Sequence, residues 1–332
     1  MAIPGLTAQG RTSSLVDLGT LGGLSSEASD INNLGEVVGA ATTADGLPHA
    51  FLYRAGRMFD LGTLTGGTTS HATAISDEGT IAGSSGINAY GPMFREFTQG
   101  FVWRDGIMQA LGALHCPCTF NSRHGTSRAL AVNSAARIVG DSRTNRANFT
   151  HAFLWQGNVL RDLIPGLDGA SDSTAYGISD VDEIVGEING RAFVARLGVL
   201  EDLGVLPGDA RSSARGVNNK GQVVGTSFTA TGIARAVLWD LGRMRALGTL
   251  PGDAASEARA VNIHGDVVGR SGIADLSSSR AVVWQNGVPI DLNGRISVAG
   301  WLLTNATSIN DIGQIVGVGL RAGQARAFLL NP

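Results

Sequence analysis

The stretch DLGTLGGLSSEASDINNLGEVVG at residues 17–39, followed by HAFLYRAGRM at residues 49–58, decides the fold because the chain repeats it. A second unit reads DLGTLTGGTTSHATAISDEGTIAG at residues 60–83, followed by GFVWRDGIM at residues 100–108. Seven such units begin near residues 17, 60, 110, 162, 202, 246 and 291. Self-similarity with a period of about 40–50 residues is typical of the blades of a β-propeller.

Each unit divides into four short strand-like pieces joined by turn residues. In the first unit these pieces are ASDIN at residues 28–32, VVG at 37–39, HAFLY at 49–53 and MFDL at 58–61. Asn and Gly between them tolerate the left-handed backbone of tight hairpins, and no piece shows the 3.6-residue period of an amphipathic helix. The pattern predicts an all-β, seven-bladed propeller with four antiparallel strands per blade, forming one domain over residues 1–332.

The two ends of the chain predict how the ring closes. Leu15–Leu18 form a fourth-strand piece with no blade before them, and the last unit, from Ala306 to Leu330, supplies only three strands. Pairing Leu15–Leu18 with Ala327–Leu330 completes the seventh blade and removes the exposed edge that an open array leaves. An open right-handed solenoid is the alternative.

Composition and charge exclude several classes of protein. The chain has 332 residues, of which 47 are Gly and 16% are charged, and its net charge is −3. Disorder needs less apolar content and more net charge, collagen needs Gly at every third position, and two Cys are too few for a disulfide-stapled mini-protein. A pI of about 6.1 indicates no nucleic-acid partner.

The N-terminal residues and the hydropathy pattern predict the compartment. Residues 1–10 lack the basic and apolar regions of a signal peptide. No apolar run approaches the length of a membrane-spanning helix. We therefore expect a cytoplasmic protein with no membrane partner.

The repeat resembles that of the bacterial HAF-repeat proteins. The residues that carry the resemblance are DLGTLGG at 17–23 and its variant at 60–67, the IN…G.VVG segments, and HAF at 49–51 and 151–153. It spans essentially the whole chain. Because the family is named for its repeat, the resemblance implies little about activity. Family members are often labelled extracellular, and this sequence departs from that by showing no leader.

The loops on one face of the propeller vary, and function usually lies on variable loops held by a rigid scaffold. Turns after the first and third strands are short and uniform. Loops after the second strand, which we expect at Ser84–Gln99, Asp141–Thr150, Thr226–Ala234 and Arg270–Ser279, differ in length and chemistry. We therefore expect any site at the mouth of the central channel on this face.

The innermost strand of each blade enters from that face, and its first position is always Ser or Thr, which indicates a structural role in bonding loop backbone. The next position breaks the repeat, with Glu27, His71, Arg128, Thr174, Ser213, Glu257 and Asn305 in the seven units. Two positions further on are Ser29, Thr73, Leu130, Tyr176, Arg215, Arg259 and Thr307. Because repeated positions maintain the blades, positions that break the repeat are the candidates for individual roles.

These side chains suit acid–base chemistry on an anionic small molecule. His71 titrates near neutral pH and can act as base or acid, and Glu27 or Glu257 can orient it or take the complementary role. Tyr176 can donate to a developing oxyanion. The predicted substrate-binding residues, of which the arginines can hold a carboxylate or phosphate bidentately, are Arg128, Arg215, Arg259, Asn305, Arg95, His115 and His124. A solvated ring of balanced charges without catalysis is the alternative.

An insertion at residues 115–124, reading HCPCTFNSRH, holds both Cys residues. Two His and two Cys can bind zinc, but the spacing of Cys116 and Cys118 is tighter than usual, and we predict no metal. A reactive thiolate beside His115 or His124, a Cys116–Cys118 bridge and a plain lid over the channel remain open.

The remaining His and Trp residues are interpreted as structural. His49 and His151 belong to the repeated HAF piece, His264 is expected to be exposed on the short-turn face, and the Trp residues share one repeated position typical of packing between blades. They are Trp103, Trp155, Trp239 and Trp284. The chain has no phosphate-binding loop, no G-x-S-x-G elbow and no H-E-x-x-H motif.

Two function classes follow. The first is a small-molecule enzyme of specialised metabolism without a cofactor, which acts by acid–base catalysis as a cyclase, isomerase, lyase or hydrolase. The second is a binding scaffold for protein or glycan. A scaffold exposes apolar residues across the broad face, whereas an enzyme concentrates polar groups in one mouth, and the sequence favours the enzyme. The oligomeric state stays open.

Overall fold

The computed structural model describes residues 13–87, 97–114, 126–144, 149–167 and 171–332. These residues form seven four-stranded antiparallel sheets, which confirms the predicted seven-bladed β-propeller. The only helical segment among them is the 3₁₀ turn Leu292–Arg295, and no described helix is long and apolar enough to cross a membrane.

The first strand among the described residues is β1 (Ser14–Asp17), and the next twelve form the first three blades. Blade 1 comprises β2 (Gly22–Ile31), β3 (Val37–Thr43), β4 (Pro48–Arg54) and β5 (Arg57–Asp60). Blade 2 comprises β6 (Gly67–Ile75), β7 (Ile81–Ile87), β8 (Phe97–Arg104) and β9 (Ile107–Ala110). Blade 3 comprises β10 (Ser127–Val132), β11 (Ile138–Arg143), β12 (Thr150–Gln156) and β13 (Val159–Asp162).

The remaining strands form blades 4 to 7. Blade 4 comprises β14 (Ser173–Ile178), β15 (Ile184–Ile188), β16 (Arg191–Arg196) and β17 (Val199–Asp202). Blade 5 comprises β18 (Asp209–Val217), β19 (Val223–Thr229), β20 (Ala234–Asp240) and β21 (Arg243–Ala246). Blade 6 comprises β22 (Ala255–Val261), β23 (Val267–Gly272), β24 (Ser279–Gln285) and β25 (Val288–Asp291). Blade 7 comprises β26 (Trp301–Ile309), β27 (Ile315–Arg321), β28 (Gln324–Asn331) and β1.

The ring closes as the chain ends predict. Strand β1 pairs antiparallel with β28, with Leu15 opposite Leu330 and Val16 opposite Leu329. The amide of Leu18 extends this pairing by donating to the carbonyl of Ala327 at 3.1 Å. The innermost strands of neighbouring blades touch all the way round, including β26 with β2. The open solenoid is therefore wrong for this chain.

The hydrophobic core lies between the blades, where side chains of adjacent sheets interleave. Between blades 1 and 2, for example, Val38 and Leu52 pack with Ile81 and Phe101. The aromatic residue of the HAF-type piece is fully buried in blades 1, 2, 3, 4 and 7, as for Phe51. Burying such a ring contributes about 1.5–3 kcal/mol, so the repeated HAF piece is a packing signature. Trp155, Trp239 and Trp284 are also buried, as predicted, whereas Trp103 is partly buried and packs against the cluster that contains Phe101.

The repeated Ser at the start of the innermost strand joins two blades. Ser26 Oγ donates to the carbonyl of Gly19 at 2.6 Å and accepts from the amide of Ala327 at 3.0 Å. Ser70 and Ser212 repeat both bonds in their own blades. The predicted structural role of this hydroxyl is confirmed there. Thr304 of blade 7 departs from it, because its hydroxyl donates to the carbonyl of Val318 instead.

The repeated Asn at the end of the innermost strand forms a second set of inter-blade bonds, which we call the Asn clasps. In five blades its Nδ2 donates to the backbone carbonyl of the same position in the next blade. The residues concerned are Asn32, Asn133, Asn218, Asn262 and Asn310. Blades 2 and 4 have Ser at this position. The clasp from Asn310 to the carbonyl of Asn32, at 3.0 Å, joins the last blade to the first.

A β-bulge gives the inner strands their shape. In every blade the pairing between the first and second strands shifts by one residue, for example between Ala28 and Asp30. The Gly that ends the VVG piece makes this approach possible, since a Cβ at Gly39 would collide with the carbonyl oxygen of Glu27. The bulge is set just below the variable mouth position, so the repeated Gly also positions the candidate site.

Candidate functional site

The mouth of the channel on the variable-loop face is built by the variable positions of the innermost strands and by the residues that pair with them. Each variable residue lies opposite the residue that follows the VVG-type Gly on the second strand. The bulged residue of each blade follows two positions later, and those of blades 1, 2 and 7, which are Ser29, Thr73 and Thr307, bond to the next blade. The structure thus brings the predicted ring together and divides it into distinct groups.

The first group, on blades 1 and 2, centres on His71. The Nε2 atom of His71 lies 2.7 Å from the hydroxyl of Ser29, and its Nδ1 atom lies 3.5 Å from Oε1 of Glu27. The side chain of His71 is 40% exposed and that of Glu27 is 54% exposed, so a ligand in the channel can reach both. Of the two carboxylates predicted to orient His71, Glu27 is the one beside it.

The environment of His71 favours its neutral form. The crowded channel wall disfavours the charged imidazolium and so lowers the pKa of His71, and the Glu27 carboxylate offsets this only in part. A neutral imidazole with Nε2 beside a hydroxyl is able to accept a proton.

Asp30 lies next to Ser29 and ties three blades together. Its Oδ1 accepts from the hydroxyl of Ser308 at 2.6 Å, and its Oδ2 accepts from the amide of Ile75 at 3.0 Å. Burial raises the pKa of Asp30, while these two hydrogen bonds act in the opposite direction. The other blades have Ala, Gly or Ser at this position. This break in the repeat is visible in the sequence, and our sequence analysis missed it.

The second group, on blades 3 and 4, is an ion pair. Arg128 donates from Nε to Oδ1 of Asp141 at 3.0 Å and from Nη2 to Oδ2, and Thr174 Oγ1 lies 3.3 Å from the same carboxylate. The hydrogen bond to Asp141 raises the pKa of Arg128, outweighing desolvation. Because Asp141 occupies the guanidinium fork, Arg128 is less suited to hold a substrate anion than the prediction assumed.

The third group, on blades 4 to 6, is a cationic cluster around Glu257. The guanidinium carbon of Arg215 lies 3.8 Å from the centre of the Tyr176 ring. Glu257 Oε2 accepts from Arg259 Nη2 at 3.0 Å and from Arg270 at 2.9 Å. Burial lowers the pKa of Arg259; Glu257 opposes this, and the positive charges of Arg215 and Arg270 add to it. Two of these three guanidinium groups pair with Glu257 and the third is stacked on Tyr176, so the group carries an excess of positive charge.

Three of the six buried side-chain polar atoms that lack a hydrogen-bond partner among the described residues lie in the same half of the mouth. They are Ser213 Oγ, Arg259 Nε and Asn305 Oδ1. Ser213 is 1% exposed. Because an unsatisfied buried polar atom costs about 1–3 kcal/mol, atoms of this kind at a channel mouth are candidates for contact with a ligand. Because its Oδ1 atom is one of these, Asn305 stays a candidate binding residue, as the sequence predicted.

Sequence reasoning missed the second-strand residues of the mouth. Ser84, Asp141, Thr226 and Arg270 were expected to open the variable loops, but the strands extend beyond them and pair them with the first strand. Glu187 occupies the same position opposite Thr174. The signal was present, since the residue after each VVG-type Gly varies from blade to blade in the same way as the variable mouth position.

The predicted binding residues Arg95, His115 and His124 lie outside the described residues, as do Cys116 and Cys118. Within the described ranges, no group of three or more His, Cys, Asp or Glu side chains is arranged to hold a metal ion. The remaining histidines are placed as expected. His49 and His151 bond Asp60 and Asp162 through Nδ1, and His264 is exposed on the short-turn face.

A cavity of about 200 Å³ lies at the opposite, short-turn end of the channel. Its polar lining is already paired from turn to turn. Asp77 accepts from Asn33, Asp180 accepts from Asn219, and Asp311 accepts from the amide of Ile263. We assign this end to holding the blades together.

Comparison with known proteins now adds to the geometry. No family model matches the chain, and no curated protein matches it at a significant level. Among solved structures it is similar to YCF48 bound to a D1 peptide, at 11% identity over 99% of this chain and 97% of that one, with a TM-score of 0.54. It is also similar to a puromycin-hydrolysing peptidase of Mycobacterium tuberculosis, at 12% identity over 90% of this chain, with a TM-score of 0.54.

The chain spans about half the length of that peptidase, covering 49% of it. A third similar structure is the lectin BP39L of Burkholderia pseudomallei, at 9% identity over 98% of each chain, with a TM-score of 0.46. The two likenesses with a TM-score of 0.54 establish the fold alone.

Proposed function

We propose that the protein is an enzyme that transforms a small molecule at the variable-loop mouth of its channel, with His71 as the general base. The observation that carries this is the placement of His71 between the Ser29 hydroxyl and the Glu27 carboxylate. A base held within hydrogen-bond reach of a proton donor and oriented by a carboxylate is the arrangement that acid–base catalysis needs.

The polarity of the mouth supports an anionic substrate. In a seven-bladed ring, blade 5 lies across the channel from the junction of blades 1 and 2, so Arg215 lies opposite His71. Arg215 is stacked on Tyr176, and no described carboxylate forms an ion pair with it. A carboxylate or phosphate group at Arg215 and Arg259 would direct the rest of the molecule toward His71. Tyr176 then supports Arg215, in place of the oxyanion role that the sequence suggested.

The Ser29–His71–Glu27 group gives no reason to invoke a cofactor, because proton transfer is chemistry that side chains perform themselves. Among the reaction classes that the residues allow, cyclisation, isomerisation, elimination and hydrolysis each need one base and one acid. We further infer that the chain is a HAF-repeat protein, since its DLG, IN and HAF residues are those that join the blades, and that it works in the cytoplasm.

The test is a turnover screen with matched histidine variants. Panels of esters, lactones, β-hydroxy acids and isomerisable keto acids are incubated with the full chain, and products are followed by mass spectrometry. We expect conversion of an anionic member, lowered about 10²-fold or more in His71→Ala and unchanged in His264→Ala, whose imidazole lies on the other face. Saturable binding of glycans or peptides at the mouth, without any His71-dependent turnover, would instead indicate the scaffold.

A further inference from the structure

Ser29 occupies a position whose hydroxyl has a structural role in other blades. The equivalent residues of blades 2 and 7 are Thr73 and Thr307, and each donates to a backbone carbonyl of the next blade, Ala129 and Ala28 respectively, at 2.8 Å. The hydroxyl of Ser29 departs from this pattern. It lies 2.7 Å from Nε2 of His71, so its position in the repeat does not explain it.

The backbone on both sides of Ser29 is held in place. The carbonyl of Ala28 accepts from Thr307 of blade 7. Asp30 accepts from Ser308 of blade 7 and from the amide of Ile75 of blade 2. Ser29 itself is the bulged residue between them. A partly exposed hydroxyl on a backbone fixed to two neighbouring blades is preorganised, which is what a nucleophile requires.

Glu27, His71 and Ser29 therefore have the order carboxylate, imidazole, hydroxyl. Glu27 beside Nδ1 favours the tautomer that carries its proton there, which leaves Nε2 free to accept from Ser29. The same carboxylate stabilises the imidazolium that forms when the proton moves. In blades 3 to 6 the corresponding mouth groups are ion pairs or a stacked cation, so among the described mouth residues this arrangement occurs once.

We propose, on the basis of the function proposed above, that Ser29 is the nucleophile of an acyl transfer on a carboxylic ester or lactone. Ser29 Oγ bonds to the acyl carbon while its proton passes to His71 Nε2. The bond between the acyl carbon and the leaving oxygen breaks, and that oxygen takes the proton from His71. Water then attacks the acyl carbon and gives a proton to His71, and the acyl–Ser29 bond breaks as that proton returns to Oγ. The balance is ester plus water to acid plus alcohol.

The experiment is covalent labelling of the full chain with a fluorophosphonate, with the adduct located by peptide mass mapping. We expect one adduct per chain, on Ser29. The labelling rate falls about 10²-fold or more in His71→Ala and stays within about twofold in His264→Ala. Ser277→Ala is the matched serine control, because the exposed hydroxyl of Ser277 bonds the carboxylate of Asp275 at 2.8 Å and has no imidazole partner.

A second variant keeps the test independent of folding defects in Ser29→Ala. Ser29→Cys should react with iodoacetamide at least tenfold faster than Ser277→Cys, and adding His71→Ala should remove the difference. Equal reactivity of the two thiols would refute the assignment of Ser29 as the nucleophile. A rate of Ser29 labelling that is unchanged in His71→Ala would refute it as well. If Ser29→Ala retains turnover that His71→Ala abolishes, the nucleophile is wrong and the general base stands. If neither Ser29→Ala nor His71→Ala changes turnover, the proposed function is wrong as well.

Discussion

The Asn clasps offer a stability prediction that can be worked from individual bonds. Asn310 is 4% exposed and closes the ring by donating to the carbonyl of Asn32 at 3.0 Å. It also donates to Gln314 Oε1 at 2.8 Å and accepts from the amide of Gln314 at 2.9 Å. At about 1 kcal/mol for each buried hydrogen bond, Asn310→Ala should lower the free energy of unfolding by about 3 kcal/mol.

Two further variants separate the clasp from the local turn. Asn310→Ser introduces the residue that blades 2 and 4 use, keeps an acceptor for the Gln314 amide and loses both Nδ2 bonds, so it should cost about 2 kcal/mol. Ser179→Ala, in blade 4, removes only the bond from the amide of Glu183 at 3.1 Å and should cost about 1 kcal/mol.

Equilibrium unfolding in urea, monitored by tryptophan fluorescence and by circular dichroism, measures these differences. For a slope of about 3 kcal/mol/M, Asn310→Ala should move the midpoint down by about 1 M. The slope itself should stay unchanged, because the surface exposed on unfolding is the same. If Asn310→Ser costs no more than Ser179→Ala, the inter-blade bond does not stabilise the ring and the reasoning fails.

Three other perturbations have outcomes of known sign. Deleting residues 13–18 removes β1 and exposes the edge of β28, so the melting temperature should fall by several degrees or more, and an unchanged melting curve would refute the role of the closure. The pKa of Asp30 is raised in the folded state, so the stability that Asp30 contributes is complete below its unfolded pKa and is lost as pH rises through its folded pKa. In urea titrations, the free energy of unfolding of wild type relative to Asp30→Asn should therefore decrease with rising pH and then level off. A difference that stays constant with pH would contradict this. Glu27 raises the pKa of His71 against the larger effect of desolvation. Glu27→Gln should therefore move the acid limb of the pH–rate profile to lower pH and reduce the plateau rate at least tenfold. Glu36→Gln, on the other face, is the control.

The sequence was sufficient for the fold because the repeat determines where strands begin and end. Val16 and Leu329 could be paired without a structure, since the last unit lacks a fourth strand and the strand piece before the first unit can supply it; the open solenoid was excluded only by the structure. Glu27 and His71 could be placed at one mouth for the same reason, because they break the repeat at one position.

The partners within the mouth could not be predicted, because they depend on the bulge. One extra residue in each first strand sets which side chain faces the next blade, and it brought Ser29 rather than Glu257 to His71. Pairing between the first and second strands likewise places Asp141 opposite Arg128 and Arg270 opposite Glu257, where each forms an ion pair. These second-strand residues were assigned to loops because the strands were expected to end at Gly140 and Gly269.

The central claim is that His71, at the mouth of the channel, acts as the base that takes a proton from Ser29. The pH dependence of Ser29 labelling tests this claim most directly. The rate of fluorophosphonate modification should rise through one ionisation with a pKa below 6.5, the ordinary value for His, since desolvation lowers the pKa of His71. This ionisation should vanish in His71→Ala. A labelling rate that shows no ionisation in this range, or one that is the same in His71→Ala, would contradict the account.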